Sequence, residues 1–224
     1  MENNYRHEYK FLISQNAATL LKMRLPHVMQ RDPHAGVNGR YTIRSLYFDD
    51  PNYTAFRDKV DGVDNRTKYR IRCYNGDTSV CRLERKEKKG HLTRKTGQSI
   101  TPQQAAALQN GDYSGLPAGL VQELRLRCRG DGLRPMILVD YDRTPFVCAN
   151  GNTRITLDEN LRTRPYCADL FSPSTGMFPV FEEGEVILEV KFDDFLPGYL
   201  SEILSDIPKI PMAFSKFAMC LNLI

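Results

Sequence analysis

The chain has 224 residues, of which 41% are hydrophobic and 26% charged, an ordinary globular composition that argues against disorder. No stretch reaches the ~18 to 20 apolar residues needed to cross a bilayer, and the opening Met1-Glu2-Asn3-Asn4-Tyr5-Arg6 lacks the apolar core of a secretory signal. A soluble, cytoplasmic single domain over 1–224 is therefore expected. The formal net charge of +4 hides a concentration, because residues 68–95 sum to +7 and the rest of the chain to −3. Such a block is either a solvated face or a site for a polyanion, and only spacing separates the two.

Period-two alternation predicts strands over 5–13, 41–48, 68–73, 80–88, 92–99, 136–143, 153–160 and 185–192. Asn75-Gly76-Asp77, Lys89-Gly90 and Asn150-Gly151-Asn152 read as hairpin turns, so those neighbours should be antiparallel. Between the strands, Ser14 caps a helix running to Leu25 before Pro26. Asp50-Pro51 opens a short helix carrying Tyr53, Phe56 and Val60. Thr101-Pro102-Gln103-Gln104 has the form of a capping box, Leu120, Val121 and Leu124 mark a helix after Pro117, and Ser215 caps a last one through Leu223. The class is α+β. The six cysteines, at 73, 81, 128, 148, 167 and 220, form no C-x-x-C pair and read as reduced thiols, and the four histidines have no metal-ligand spacing.

What the strands alternate is more informative than their number. Arg6, Glu8 and Lys10 share one face of the first strand, Arg70 and Arg72 flank Ile71, and Arg82, Glu84, Lys86 and Lys88 share a face of the next. Val139, Tyr141 and Arg143 align, as do Arg154, Thr156 and Asp158. Late in the chain Glu189 and Lys191 sit within an otherwise apolar run. Any one such strand could turn its charges to water on an open sheet. Repetition over five or six strands favours an eight-stranded antiparallel closed β-barrel with peripheral helices outside and polar faces converging within. Unpaired buried charge costs several kcal/mol per ion, so a cation-rich lumen calls for an anionic occupant such as a linear phosphate chain.

R-H-E-Y-K at 6–10, R-S-L-Y-F-D at 44–49, K-Y-R-I-R at 68–72, L-E-R-K at 83–86, D-R-T-P-F at 142–146, R-I-T-L-D at 154–158, E-V-K-F at 189–192 and S-K-F at 215–217 occur in one order. Together they resemble the VTC domain, the polyphosphate polymerase domain within the CYTH-like triphosphate tunnel metalloenzyme superfamily. The resemblance implies a triphosphate tunnel in which the γ-phosphate of ATP passes to inorganic polyphosphate with Mn²⁺ or Mg²⁺ as cofactor. It also implies phosphate-binding roles for Lys10, Arg70, Arg72, Lys86, Lys95, Arg143 and Arg154, with Lys216 near a tunnel mouth and Glu189 as metal ligand. Arg82, Lys88, Lys191 and Arg44 follow more loosely, from alternation or from proximity to a motif.

The hydrolytic branch of that superfamily carries E-x-E-x-K on its first strand, and Arg6 stands here in place of the first glutamate. The departure favours the VTC-like branch, with Glu8 and Glu84 either pairing arginines or serving as further metal ligands. Ser45, Tyr47 and Asp49 share a face that lines the tunnel or else ends a strand at a helix cap. The cluster Lys88, Lys89 and His91 reads as a solvated hairpin tip, and the acids of 182–206 as solubilising. A tripolyphosphatase or nucleoside triphosphatase and a non-catalytic polyphosphate-binding module remain alternatives. Nucleic acid is disfavoured as a partner because Tyr69 alternates against the arginines. The chain carries no membrane span of its own, so any membrane coupling would come through a membrane-protein partner.

Overall fold

Eight strands of at least eight residues organise the chain: β1 (His7–Ser14), β3 (Tyr41–Asp49), β4 (Arg66–Tyr74), β5 (Asp77–Lys89), β6 (Leu92–Ile100), β7 (Arg134–Cys148), β8 (Thr153–Pro165) and β10 (Glu185–Phe192). Three two-residue strands join them, β2 (Gln30–Arg31), β9 (Phe178–Pro179) and β11 (Ile210–Pro211). The structure is a computed structural model that describes residues 6–90, 92–165, 169–213 and 215–223, with only the backbone of Thr78, Val80 and Pro165. Tyr5, His91 and Cys167, each singled out in the sequence, lie outside the described residues.

The chain packs as two compact units. The first comprises Met1–Thr42, Tyr141–Leu161 and Phe181–Ala213, the second Ile43–Asp140, Arg162–Val180 and Phe214–Ile224, so β3, β7 and β8 contribute to both. In the first unit the hydrogen-bonded order is β11-β1-β10-β8-β7, with β2 also on β7. In the second it is β7-β3-β4-β5-β6, and β9 lies on β8. Pairing is antiparallel at every register described, as the short turns require. Hydrogen bonding does not close the sheet, because among the described residues β11 pairs only with β1 and β6 only with β5. The class is thus an antiparallel, sheet-dominated α+β fold with helices.

Local chemistry explains the element ends. At Asn75-Gly76, φ values of 53° and 66° make the two-residue turn whose twist suits a hairpin. Gly151, at φ 62°, could not be replaced simply, since a Cβ there would lie 2.2 Å from the carbonyl oxygen of Phe195. Ser14 accepts from the Ala17 amide to start α1 (Gln15–Arg24), and Leu25-Pro26-His27 continues as a single 3₁₀ turn because proline cannot extend the α-helix. The helix expected at Asp50-Pro51 begins later, as α2 (Thr54–Val60). Its first amides are taken by Asp49, which accepts from Ala55 and Phe56, and by Asp50, which accepts from Thr54. The capping box opens α3 (Pro102–Gln109), α4 spans Leu120–Gly130, and Ser215 caps α6 (Lys216–Leu221). One helix was not anticipated, α5 (Gly198–Ser205), whose Leu200 and Leu204 are buried.

Each unit has its own apolar cluster. In the first, Ile155 and Leu157 of β8 and Val186, Leu188 and Val190 of β10 pack with Ala17, Ala18 and Leu21 of α1 and with α5. In the second, Tyr69 and Ile71 of β4 and Cys81 and Leu83 of β5 pack with Ala105 and Leu108 of α3 and Leu120, Val121 and Leu124 of α4. Burial of one face by helices leaves the alternate residues, charged in both units, on the other face. The described cysteines are free thiols, with Cys73 and Cys81 side by side in the second cluster.

Candidate functional site

In the first unit, register brings opposite charges together. Antiparallel pairing sets Lys10 opposite Glu189 and Glu8 opposite Lys191, and the β10–β8 register places Lys191 opposite Arg154 and Glu189 opposite Thr156. Glu189, 5% exposed, becomes the hub. Its carboxylate lies 3.3 Å from Lys191 Nζ, 3.7 Å from Lys10 Nζ and 3.4 Å from Arg143 Nη2. Arg143 is itself held bidentately by Asp158, at 2.6 and 2.7 Å, and its guanidinium lies 5.3 Å from the Tyr141 ring centroid. Burial would lower the Arg143 pKa, but the Asp158 carboxylate outweighs it and the net direction is well upward. Glu8 pairs with Lys10 at 2.5 Å and stands 4.0 Å from Lys191.

Arg154 completes this cluster with partners the sequence did not advertise. Its Nη2 lies 2.7 Å from the buried Asp32 carboxylate and donates to the Tyr41 hydroxyl at 2.9 Å. On the same strand face, Arg154 Nε and Thr156 Oγ1 are buried without a hydrogen bond among the described residues. Arg6, the departure from the hydrolase pattern, ion-pairs with Asp193 at 2.8 Å.

The second unit repeats the theme around Glu84, 2% exposed. The β4–β5 register puts Arg70 opposite Glu84, and Arg70 grips it through Nε at 2.7 Å and Nη2 at 2.6 Å. Arg72 Nη1 stands 3.9 Å away and Lys95 ion-pairs with the other carboxylate oxygen. Burial would raise the Glu84 pKa, yet the guanidiniums of Arg70 and Arg72 and the Lys95 ammonium hold it well below the usual carboxylate range. The adjacent rungs carry like charge: Lys68, Lys86 and Lys95 face one another across three strands, and Arg72 faces Arg82. Like charges directly opposite are destabilising.

The remaining expected residues of this unit divide. Arg82 lies over Gly97, where a Cβ would come within 2.6 Å of its Nε. Lys216 opens α6, and Lys88 stands opposite Arg66 toward the β5–β6 hairpin. Arg44 is drawn away into a structural network: it holds the buried Asp140 with bonds of 2.6 to 3.1 Å and also reaches the carbonyl oxygens of Leu170 and Ser172 and the hydroxyl of Ser174. Asp49 serves the α2 amides. Tyr69 turns to the helix-packed face, where its hydroxyl donates to Glu123 of α4. Ser45 and Tyr47, by contrast, bond the arginines, Arg72 Nε to Ser45 Oγ at 3.1 Å and Arg70 Nη1 to Tyr47 Oη at 2.8 Å. Asp158 was placed from sequence on one strand face with Arg154 and Thr156 but given no role, and Asp32 and Tyr41 were not identified, although Tyr41 lies on an expected strand.

Among the described residues no three His, Cys, Asp or Glu side chains gather as a metal-binding group. Glu189 offers one carboxylate, so a hard divalent cation fits here only with oxygens brought by the ligand, as triphosphate-bound ions commonly are.

Comparison with known proteins agrees with this architecture. No curated protein sequence matches the chain. Among solved structures, a Bacillus halodurans protein described as a candidate adenylate cyclase superposes with a TM-score of 0.57 at 16% identity, covering 94% of each chain. The PH1819 protein of Pyrococcus horikoshii OT3 superposes with a TM-score of 0.54 at 15% identity, over 98% of this chain and all of the other. These likenesses are of fold. The family model described as VTC domain matches residues 5–224, and the chain belongs to the VTC domain family.

Proposed function

We propose that this domain is a polyphosphate polymerase-type phosphotransferase, moving the γ-phosphate of ATP onto the end of a polyphosphate chain held by basic residues of the strand faces. The observation that carries the reading is the register in which like-charged residues face one another in successive rungs around a single buried carboxylate. Folding alone disfavours such rungs, and a chain of phosphates relieves them. Family membership points the same way.

Phosphoryl transfer asks the protein for position and charge neutralisation. Arg70, Arg72, Arg143 and Arg154 suit the gripping role because a planar guanidinium can engage two phosphate oxygens, while Lys10, Lys86, Lys95, Lys191 and Lys216 act as mobile point charges. Arg82 and Lys88 extend the basic face along β5. Arg154 Nε and Thr156 Oγ1, both buried and unbonded, supply donors for phosphate oxygens. A terminal phosphate oxygen attacks the γ-phosphorus, the bond to the β–γ bridging oxygen breaks, and ADP leaves. The attacking oxygen is already ionised at neutral pH, so no side-chain base is needed. A bound Mn²⁺ or Mg²⁺ would screen the β- and γ-phosphates, with Glu189 as its protein ligand and Lys10 and Lys191 transferred to phosphate. Glu8 and Glu84 act as ion-pair partners that hold lysine and arginine in place.

Purified protein incubated with ATP and Mn²⁺ or Mg²⁺ should yield ADP and a ladder of polyphosphate on a gel, and Glu189→Ala should abolish both. Orthophosphate release without a ladder would select a hydrolase. Polyphosphate binding without turnover, unchanged in Glu189→Ala, would select a binding module.

A further inference from the structure

Arg70 bonds two neighbours of different kinds. Through Nε and Nη2 it holds Glu84, whereas Nη1 donates to the hydroxyl of Tyr47 at 2.8 Å. The Tyr47 ring is 3% exposed and stacks on Phe217, the second residue of α6, with centroids 5.0 Å apart and planes inclined by 29°. Above the same ring lie Arg70, 5.6 Å from the centroid, and Lys68, at 5.9 Å. One aromatic side chain therefore touches the arginine at its hydroxyl and face and the last helix at its ring.

Phe217 cannot move without α6, because Phe217, Ala218, Cys220 and Leu221 are all buried and Ser215 caps the helix through the Ala218 amide. Lys216, between the cap and Phe217, is only partly buried. A ligand that engaged Lys216 would act on the helix whose next side chain stacks on Tyr47. Phenylalanine at 47 would preserve the stack and remove the acceptor, leaving a guanidinium N–H of Arg70 to find another partner.

We propose that Tyr47 is a positioning residue that couples the C-terminal helix to Arg70, setting the guanidinium for phosphate according to the seating of α6. The proposal rests on the phosphotransferase reading and adds a residue and a linkage to it. Ser45, one pleat away on the same strand face and bonded to Arg72, holds the neighbouring arginine in a parallel way.

Inorganic tripolyphosphate is the probe, titrated calorimetrically into wild type, Tyr47→Phe, Arg70→Lys and the double variant, with thermal melts alongside. Tyr47→Phe should weaken binding about tenfold with little change in melting temperature, the size expected for one hydrogen bond to a charged group. In the Tyr47→Phe background, Arg70→Lys should add little. The ¹⁵N resonance of Arg70 Nε, identified by its loss in Arg70→Lys, should shift in ligand-free Tyr47→Phe and also in Phe217→Leu, which removes the stack and no polar contact. Unchanged affinity in Tyr47→Phe, or fully additive losses in the double variant, overturns the coupling. Failure of wild type to bind tripolyphosphate overturns the phosphotransferase reading instead. The resonance then decides the coupling separately, since an Arg70 signal unmoved by Phe217→Leu overturns it.

Discussion

Burial by itself would push the Glu84 carboxyl upward, but Arg70, Arg72 and Lys95 outweigh burial and hold it at about 2. In an unfolded chain the same carboxyl would titrate near 4.5. The folded state therefore binds fewer protons in that window, so Glu84 stabilises fully above pH 4.5 and loses its contribution as pH falls toward 2. The shift corresponds to stability on the order of 3 kcal/mol. Urea denaturation of wild type and Glu84→Gln should show the largest stability difference near neutrality, narrowing as the solution is acidified below pH 4.5. A difference independent of pH would mean the carboxylate is not charged in the folded protein.

Lys95 moves the other way for related reasons. Desolvation, opposed by Glu84 and reinforced by the Arg70 and Arg72 charges, lowers it to about 8. Without ligand the ammonium begins to neutralise in mildly alkaline solution, and the polyanion binding proposed for it would weaken as pH rises through that value. Tripolyphosphate affinity should fall across pH 8 more steeply in wild type than in Lys95→Arg, whose guanidinium stays charged. Comparing the two proteins cancels the titration of the ligand itself. Parallel curves would remove Lys95 from the binding surface.

At the level of elements, β6 contributes through an absence of side chain as much as through Lys95. Gly97 stands opposite Glu84, and its missing Cβ is what admits the Arg82 guanidinium. Gly97 does not lie in the left-handed region, so alanine meets no backbone objection there and acts by displacing Arg82. Gly97→Ala should weaken tripolyphosphate binding about as much as Arg82→Ala while leaving the melting temperature within a few degrees, checked by calorimetry and thermal denaturation. The eight long strands were legible because each alternates apolar with charged residues, and the caps at Ser14, Thr101 and Ser215 because their hydroxyls precede helix-forming runs. α5 was hidden by the surrounding acids of 182–206, which suggested a solvated segment although Leu200, Ile203 and Leu204 recur at helical spacing. The two-residue strands β2, β9 and β11 are too short to establish a period.

For the molecule as a whole, strand faces could be read from sequence and pairing registers could not. Alternation says that Glu84 and Arg70 share a kind of face; only the hairpin turn at Asn75-Gly76 and the irregularity between Arg72 and Tyr74 decide that they stand opposite. The buried partners Asp32 and Asp140 follow from chain segments far apart in sequence, which explains why Arg44 looked available and is in fact bound up with Asp140 and the 170–174 loop. The like-charged rung of Lys68, Lys86 and Lys95 has a consequence at the bench. Small oxyanions of ordinary storage solutions, such as phosphate, sulfate or citrate, would settle among them and favour the folded form by mass action. Preparations kept in such buffers would then melt higher and bind tripolyphosphate more weakly than the same protein in chloride.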